Sequence, residues 1–222
     1  NFKTAILLDR SCVLCHWGLA NVYVHSMNEP FILPEELALG RRAIDEAKRL
    51  LSLRSSHQEG GVEYGFVHSL AAYYGESDAH WNEFGQQGML KKYVPKLKAF
   101  CKSVGYHPTC AGLLAEALMK LTPWNYYTER GRTHHEMRFD SMKPTAKQAS
   151  ALIRGILGVN PNHPMATHLW IHLLESTDSA HLAEKEADAI AAWPVGISHL
   201  VHMAGHLYHR LGRYEDSIAV GL

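Results

Sequence analysis

Two stretches in the last third of the chain carry imidazole side chains at helical spacing. At about 100° per residue, the side chains of each stretch fall on one face of a helix. Grouped by stretch, they are His168, His172 and Glu175, then His199, His202, His206 and His209. Imidazoles at positions i and i+4 bring two nitrogens within reach of one ion, and a neighbouring helix can complete the coordination shell. These rows therefore predict a transition-metal site.

The predicted ligands, drawn from both rows, are His168, His172, His199, His202 and His206. Glu175 would either bind the ion or orient a histidine from the outer shell. Neutral imidazole suits zinc, copper, nickel or iron(II), and the nearby thioether of Met203 favours copper, so copper and zinc are the expected metals. Burying several adjacent imidazoles without a cation would leave many polar atoms to satisfy. The alternative is that these histidines are polar packing residues, and whether the rows hold one ion or two stays open.

Three functions remain open for such a site. In the first, the metal is redox or Lewis-acid active, Glu175 accepts a proton, and Arg210 or Tyr208 anchors an anionic substrate. In the second, the domain binds a peptide or protein and any metal is structural, and in the third it is a scaffold without metal. The sequence contains no G-x-S-x-G, P-loop, dinucleotide or H-E-x-x-H motif, which disfavours a metalloprotease and leaves open whether the chain is an enzyme.

A second group of chemically capable residues lies near the start of the sequence. Cys12, Cys15 and His16 form a C-x-x-C-H pattern, which matches the attachment site of a c-type haem, with two thioethers and an axial histidine. A local disulfide or free buried thiols are the alternatives, and we favour them because so short a pattern arises by chance. If the chain curls tightly, His16 would also join the central histidine cluster as a metal ligand.

A third group is the aromatic and polar stretch from Pro123–Tyr127 to His134–Glu136. Aromatic rings beside a histidine pair could form a lid over the predicted site. The irregular composition instead favours a loop with exposed histidines, and this is the interpretation that we prefer.

The composition argues against two classes of partner. Lys+Arg and Asp+Glu both number 22, so the formal net charge is zero and no basic surface for nucleic acid is expected. No apolar run approaches about 18 residues, so no membrane span is expected. The chain starts at Asn1 without a visible signal peptide and stops in mid-pattern at Leu222, so we expect a fragment or a processed chain whose compartment cannot be read.

Proline and glycine punctuate a series of helical segments, and no convincing strand alternation appears. The fold class is therefore expected to be all-α. The expected helices, by residue number, are 2–8, 12–26, 34–51, 56–74, 78–103, 108–121, 145–158, 164–176, 179–192, 196–211 and 214 to the end. Pro95 predicts a helix start or a kink within the fifth of these.

The spacing of the last helices resembles the tetratricopeptide repeat, in which paired helices recur with a period of about 34 residues. The residues that carry the likeness are the helix end at 155–161 and the turn at 211–219, which reads Leu-Gly-Arg-Tyr-Glu-Asp-Ser-Ile-Ala. The likeness covers roughly the first 25 residues and 145–222, with a degenerate middle. It implies a single domain over 1–222, built as a right-handed α-solenoid of helix hairpins whose first helices lie side by side on the concave face.

Three further motifs resemble a histidine-rich subgroup of this family. They read C-x-x-C-H-W-G at 12–18, H-P-x-x-x-H-x-x-x-H-x-x-E at 163–175 and H-L-V-H-M-x-x-H-x-Y-x-R-x-G-R-Y at 199–214. The histidines belong to the subgroup's pattern, whereas Ala204 and Gly205 depart from an expected Pro-Ser. The resemblance supports a functional site at these histidines but does not indicate which reaction the site would catalyse. Open repeat ends would favour a protein or peptide partner, or self-assembly.

Overall fold

The computed structural model describes residues 1–24, 27, 32–54, 61–76, 79–131, 135–193 and 198–221, and of residues 79–84, 86 and 198 the backbone alone. This part of the chain holds eleven α-helices, two 3₁₀ turns and no strand, which confirms the all-α prediction. In chain order the α-helices are α1 Phe2–Leu8, α2 Val13–Val22, α3 Pro34–Ser52, α4 Val62–Tyr74, α5 Ala79–Ser103, α6 Pro108–Lys120, α7 Pro144–Val159, α8 Pro164–Leu174, α9 Glu184–Ala191, α10 Ser198–Leu211 and α11 Tyr214–Gly221.

The chain divides into two compact units, residues 1–110 and 111–222. In the first unit, α1 to α5 pack consecutively and α2 also contacts α4. In the second unit, α7 to α11 pack consecutively and α8 also contacts α10. Contacts between sequential helices and between helices two apart are what stacked helix hairpins require. A single domain over 1–222 and a right-handed array stay predictions.

Helix α8 is the central element of the second unit. Pro164 occupies its first turn, and the Nδ1 atom of His163 accepts a hydrogen bond from the backbone of Ala166, so the helix start is capped. Eight of its eleven residues are buried. Because α7, α9 and α10 all pack on α8, polar side chains on this helix are held in fixed positions by their neighbours.

The first unit is held together by close contacts between its helices. The hydroxyl of Tyr74 on α4 donates a hydrogen bond of 2.6 Å to the carbonyl of Ala20 on α2. The backbone of α3 approaches that ring at Gly40, where an added Cβ would lie 2.2 Å from the tyrosine hydroxyl. A disulfide between Cys101 and Cys110, both buried, fastens the end of α5 to the start of α6.

The interruption predicted inside the fifth helix lies at a different residue. Gly85 is non-helical, with φ of 55°, and Pro95 lies further along within α5. A left-handed φ costs glycine nothing because it has no Cβ, and this explains why the break occurs there.

Between α6 and α7, the described residues 121–131 and 135–143 form no α-helix or strand, which agrees with the loop that the sequence predicted. Isolated bridges pair Tyr127 with Met142 and Arg130 with Met137, and the hydroxyl of Tyr127 donates to the carbonyl of Leu173 at the end of α8. His134, which the sequence analysis placed in this loop, lies outside the described residues. No helix in the described part of the chain has the length and apolar character needed to cross a membrane.

Candidate metal centre

Three histidines from α8 and α10 come together in the second unit. His168 and His172 lie one turn apart on α8, and His199 lies in the first turn of α10, which packs against α8. One ring nitrogen from each histidine can be chosen so that all three lie within 4.8 Å of one another. The structure therefore brings together three of the predicted ligands from two helices.

The separation of the nitrogens is suited to a shared ion. The Nε2 atoms of His168 and His199 are 3.2 Å apart. Two zinc–nitrogen bonds of about 2.0–2.1 Å at a tetrahedral angle would separate their nitrogens by about 3.3–3.4 Å. The ring centroids of His168 and His172 are 4.6 Å apart, so the third imidazole lies against the first.

His172 is the most deeply placed of the three, with a side chain only 2% exposed. Its Nδ1 lies 3.1 Å from the Oε1 atom of Glu175, to which it donates a hydrogen bond. A neutral imidazole that donates from Nδ1 leaves Nε2 unprotonated, with a free lone pair. Among the described residues, this Nε2 is buried without a hydrogen-bond partner.

Burial decreases from His172 through the half-buried His168 to the exposed His199, so the cluster opens to solvent on the His199 side. Burial is the largest of the causes that lower the pKa of His168 to about 3, and the neighbouring His172 and His199 are the others. Burial also lowers the pKa of His199, with His172 the next cause. Both imidazoles are thus held neutral, which is the form that binds a metal.

The other predicted ligands form a separate pair. The Nε2 atoms of His202 and His206 on α10 lie 3.0 Å apart. The Oε2 atom of Glu175 lies 3.7 Å from the Nδ1 atom of His206, while its Oε1 atom faces His172. One carboxylate therefore lies between the three-histidine cluster and this pair.

A surface pocket of about 340 Å³ adjoins the pair. Its walls include Glu175, His202, Gly205, His206, His209, Arg210, Ser217 and Gly221. Arg210, one of the two anchors suggested for an anionic substrate, lines this pocket, and its Nη2 atom lies 4.0 Å from the Oε1 atom of Glu136. Tyr208 does not share that role, because it is buried and its hydroxyl donates to Asp188 on α9 at 2.8 Å.

The C-x-x-C-H motif lies in the first unit. Cys12 and Cys15 form a disulfide at the start of α2, so neither sulfur is available for a thioether bond to haem, and the disulfide alternative is the one that the structure supports. The Nε2 atom of His16 lies 3.2 Å from the carbonyl oxygen of Arg10. That His16 joins the histidine cluster stays a prediction.

One ring of the aromatic stretch, for which a lid was the less favoured interpretation, contacts the histidine cluster. Trp124, in the loop after α6, packs edge-on against His172 with ring centroids 5.2 Å apart. Its φ of 61° is unusual for a bulky residue, and its side chain is half exposed. The aromatic stretch therefore does reach the metal candidate, although the sequence offered no signal that singled out this ring from its neighbours.

No protein-family model matches this chain, and no curated protein is significantly similar to it.

Proposed function

We propose that the second unit binds one transition-metal ion, zinc or copper, through His168, His172 and His199. The ion would keep a coordination position open on the solvent side, where His199 is exposed. Three protein ligands with an open position are typical of catalytic metal sites, whereas structural sites are closed by four. The proposed activity is therefore Lewis-acid or redox chemistry on a small molecule, carried by a helical-repeat domain of the tetratricopeptide type.

The observation that carries this proposal is the buried Nε2 atom of His172. A buried polar atom without a partner is rare in folded proteins because losing hydration costs about 1–3 kcal/mol. Here the same ring donates from Nδ1 to Glu175, so the vacant lone pair points away from the carboxylate. A carboxylate that holds a histidine in this tautomer is the usual outer-shell partner of a metal ligand.

The chain's own residues would contribute orientation, access and proton handling. Glu175 orients the ring of His172 and would serve as a proton acceptor beside the site. Trp124 covers one edge of that ring and excludes solvent from it. Arg210, which lines the adjoining pocket beside Glu136, would attract an anionic ligand. A bound zinc or copper ion would supply Lewis acidity, and copper could also exchange electrons.

The test is the metal content of untagged protein purified without added metal, measured by elemental mass spectrometry. We expect about one zinc or copper per chain at this site, and loss of it in the double variant H168A/H172A. His181 and His135 are exposed histidines of the same unit, so H181A and H135A are matched controls that should retain the metal. An ion present at a hundred times its Kd should raise the free energy of unfolding by about 2.7 kcal/mol.

Two results would redirect the proposal. No stoichiometric metal after reconstitution would overturn it and leave an interaction scaffold. A metal whose loss unfolds the protein, with no water bound to it, would make the site structural rather than catalytic.

A further inference from the structure

His202 and His206 form a histidine pair that is not part of the three-histidine cluster. They lie four residues apart on α10, and both side chains are exposed. Their Nε2 atoms face each other at 3.0 Å, and both rings line the 340 Å³ pocket. Two imidazoles one helical turn apart form a chelating pair because a helix places the i and i+4 side chains on the same face.

We propose that His202 and His206 form a second transition-metal site, separate in its ligands from the three-histidine site. The Nδ1 atom of His206 faces the Oε2 atom of Glu175 at 3.7 Å. At this separation the two atoms are not hydrogen-bonded, so Glu175 acts on His206 through its charge, whereas it accepts a hydrogen bond from His172. Glu175 therefore supports a ligand of each site with a different oxygen.

The geometry of the pair favours a particular kind of ion. Two metal–nitrogen bonds of about 2.05 Å to nitrogens 3.0 Å apart would subtend about 94° at the metal. The corresponding angle for His168 and His199, whose nitrogens are 3.2 Å apart, is about 103°. An angle near 90° suits tetragonal copper(II) or nickel(II), whereas the wider angle is closer to tetrahedral zinc.

The surroundings of the pair can complete the coordination of such an ion. The pocket has room for several water molecules or a small anion beside the two nitrogens. The carboxylate of Glu175 offsets the charge of the cation, and Arg210 lies on the wall where an anion that binds the metal would extend. The second site is thus expected to be solvent-exposed, exchangeable and able to bind copper(II).

The experiment is a titration of metal-free, untagged protein with copper(II) against a competing chelator, counting the equivalents bound. We expect two equivalents in the unaltered protein, one in H202A/H206A and one in H168A/H172A. Copper(II) electron paramagnetic resonance of H168A/H172A should show two nitrogens in the equatorial plane. H181A, which changes an exposed histidine of the same unit outside this pocket, is the matched control and should keep both equivalents.

The outcomes separate the two sites. If H202A/H206A binds as much copper as the unaltered protein, the second site is refuted whatever happens at the first. If H168A/H172A binds as much as the unaltered protein while H202A/H206A loses its copper, the three-histidine proposal fails and the second site stands. Because His202 and His206 are exposed, their substitution should leave the circular dichroism and thermal unfolding of the metal-free protein unchanged.

Discussion

Replacing Glu175 by alanine should weaken metal binding at the three-histidine cluster without removing a ligand from it. The carboxylate accepts the Nδ1 hydrogen of His172 at 3.1 Å, and its side chain is only 13% exposed. Water can replace that acceptor only poorly in so sheltered a position. In the alanine variant the ring of His172 is therefore free to rotate and to change tautomer, so its Nε2 is no longer held ready for the ion.

The size of the effect follows from the role of the contact. Loss of an outer-shell partner costs about 10–100-fold in metal affinity, which corresponds to about 1.4–2.8 kcal/mol. E175Q should lose less, because its amide oxygen can still accept from Nδ1 although the negative charge is gone. In the metal-free protein, E175A should also lower the free energy of unfolding by about 1–3 kcal/mol, since it leaves the buried Nδ1 without an acceptor.

The assay is zinc affinity by chelator competition at a temperature where circular dichroism shows each variant to be folded. E215A removes an exposed carboxylate from the first turn of α11 and serves as the charge-matched control. Affinity in the order unaltered protein, E175Q, E175A is the expected result. If E175A bound zinc as tightly as the unaltered protein, the orientation of His172 by Glu175 would have no part in the site.

The remaining predictions concern the fold and one excluded role. C101S/C110S should lower the free energy of unfolding by about 2–3 kcal/mol in denaturant titrations, because the disulfide closes a loop of about ten residues. In the unaltered protein, thiol titration after unfolding without a reductant should find no free cysteine. G40A should destabilise by about 1–3 kcal/mol in the same assay, since its Cβ would overlap the tyrosine hydroxyl of α4. Y208F should cost about 0.5–1.5 kcal/mol by losing the hydrogen bond to Asp188, yet leave metal content unchanged. A loss of metal in Y208F would show that the hydrogen bond to Asp188 supports the metal site.

The helices could be predicted from the sequence because local residues decide where they begin and end. Pro34, Pro108, Pro144 and Pro164 each stand at the first position of a helix, where a missing N–H costs nothing. The break in α5 could not be located in the same way. Pro95 was the visible signal for a break, since proline within a helix removes one hydrogen bond. The break lies instead at Gly85, whose backbone conformation cannot be predicted from the pattern of side chains.

The candidate site could be predicted only in part, because helical phase does not specify position along a helix. The histidines of α10 share one stripe, yet His199 and His209 are separated by about 15 Å along the axis at 1.5 Å per residue. The cluster requires nitrogens within 4.8 Å, so only one turn of α10 can join His168 and His172. Which turn joins them depends on how α10 packs against α8. This tertiary contact cannot be derived from the spacing of residues along the sequence.

The distance between successive turns of α10 favours two metal sites over one large site. A single ion binds ligands about 2 Å away. The turn of α10 after His199 therefore lies too far along the helix to bind the ion of the three-histidine cluster. His206 of that turn faces the other oxygen of Glu175, and the pocket beside the histidine pair contains Arg210, which lies 4.0 Å from Glu136. With both sites filled, two divalent ions would face one carboxylate, and the excess positive charge would be added to that of the arginine. An anion that bridges the pocket would relieve that excess, so an anionic ligand should bind more tightly to the doubly loaded protein than to H202A/H206A.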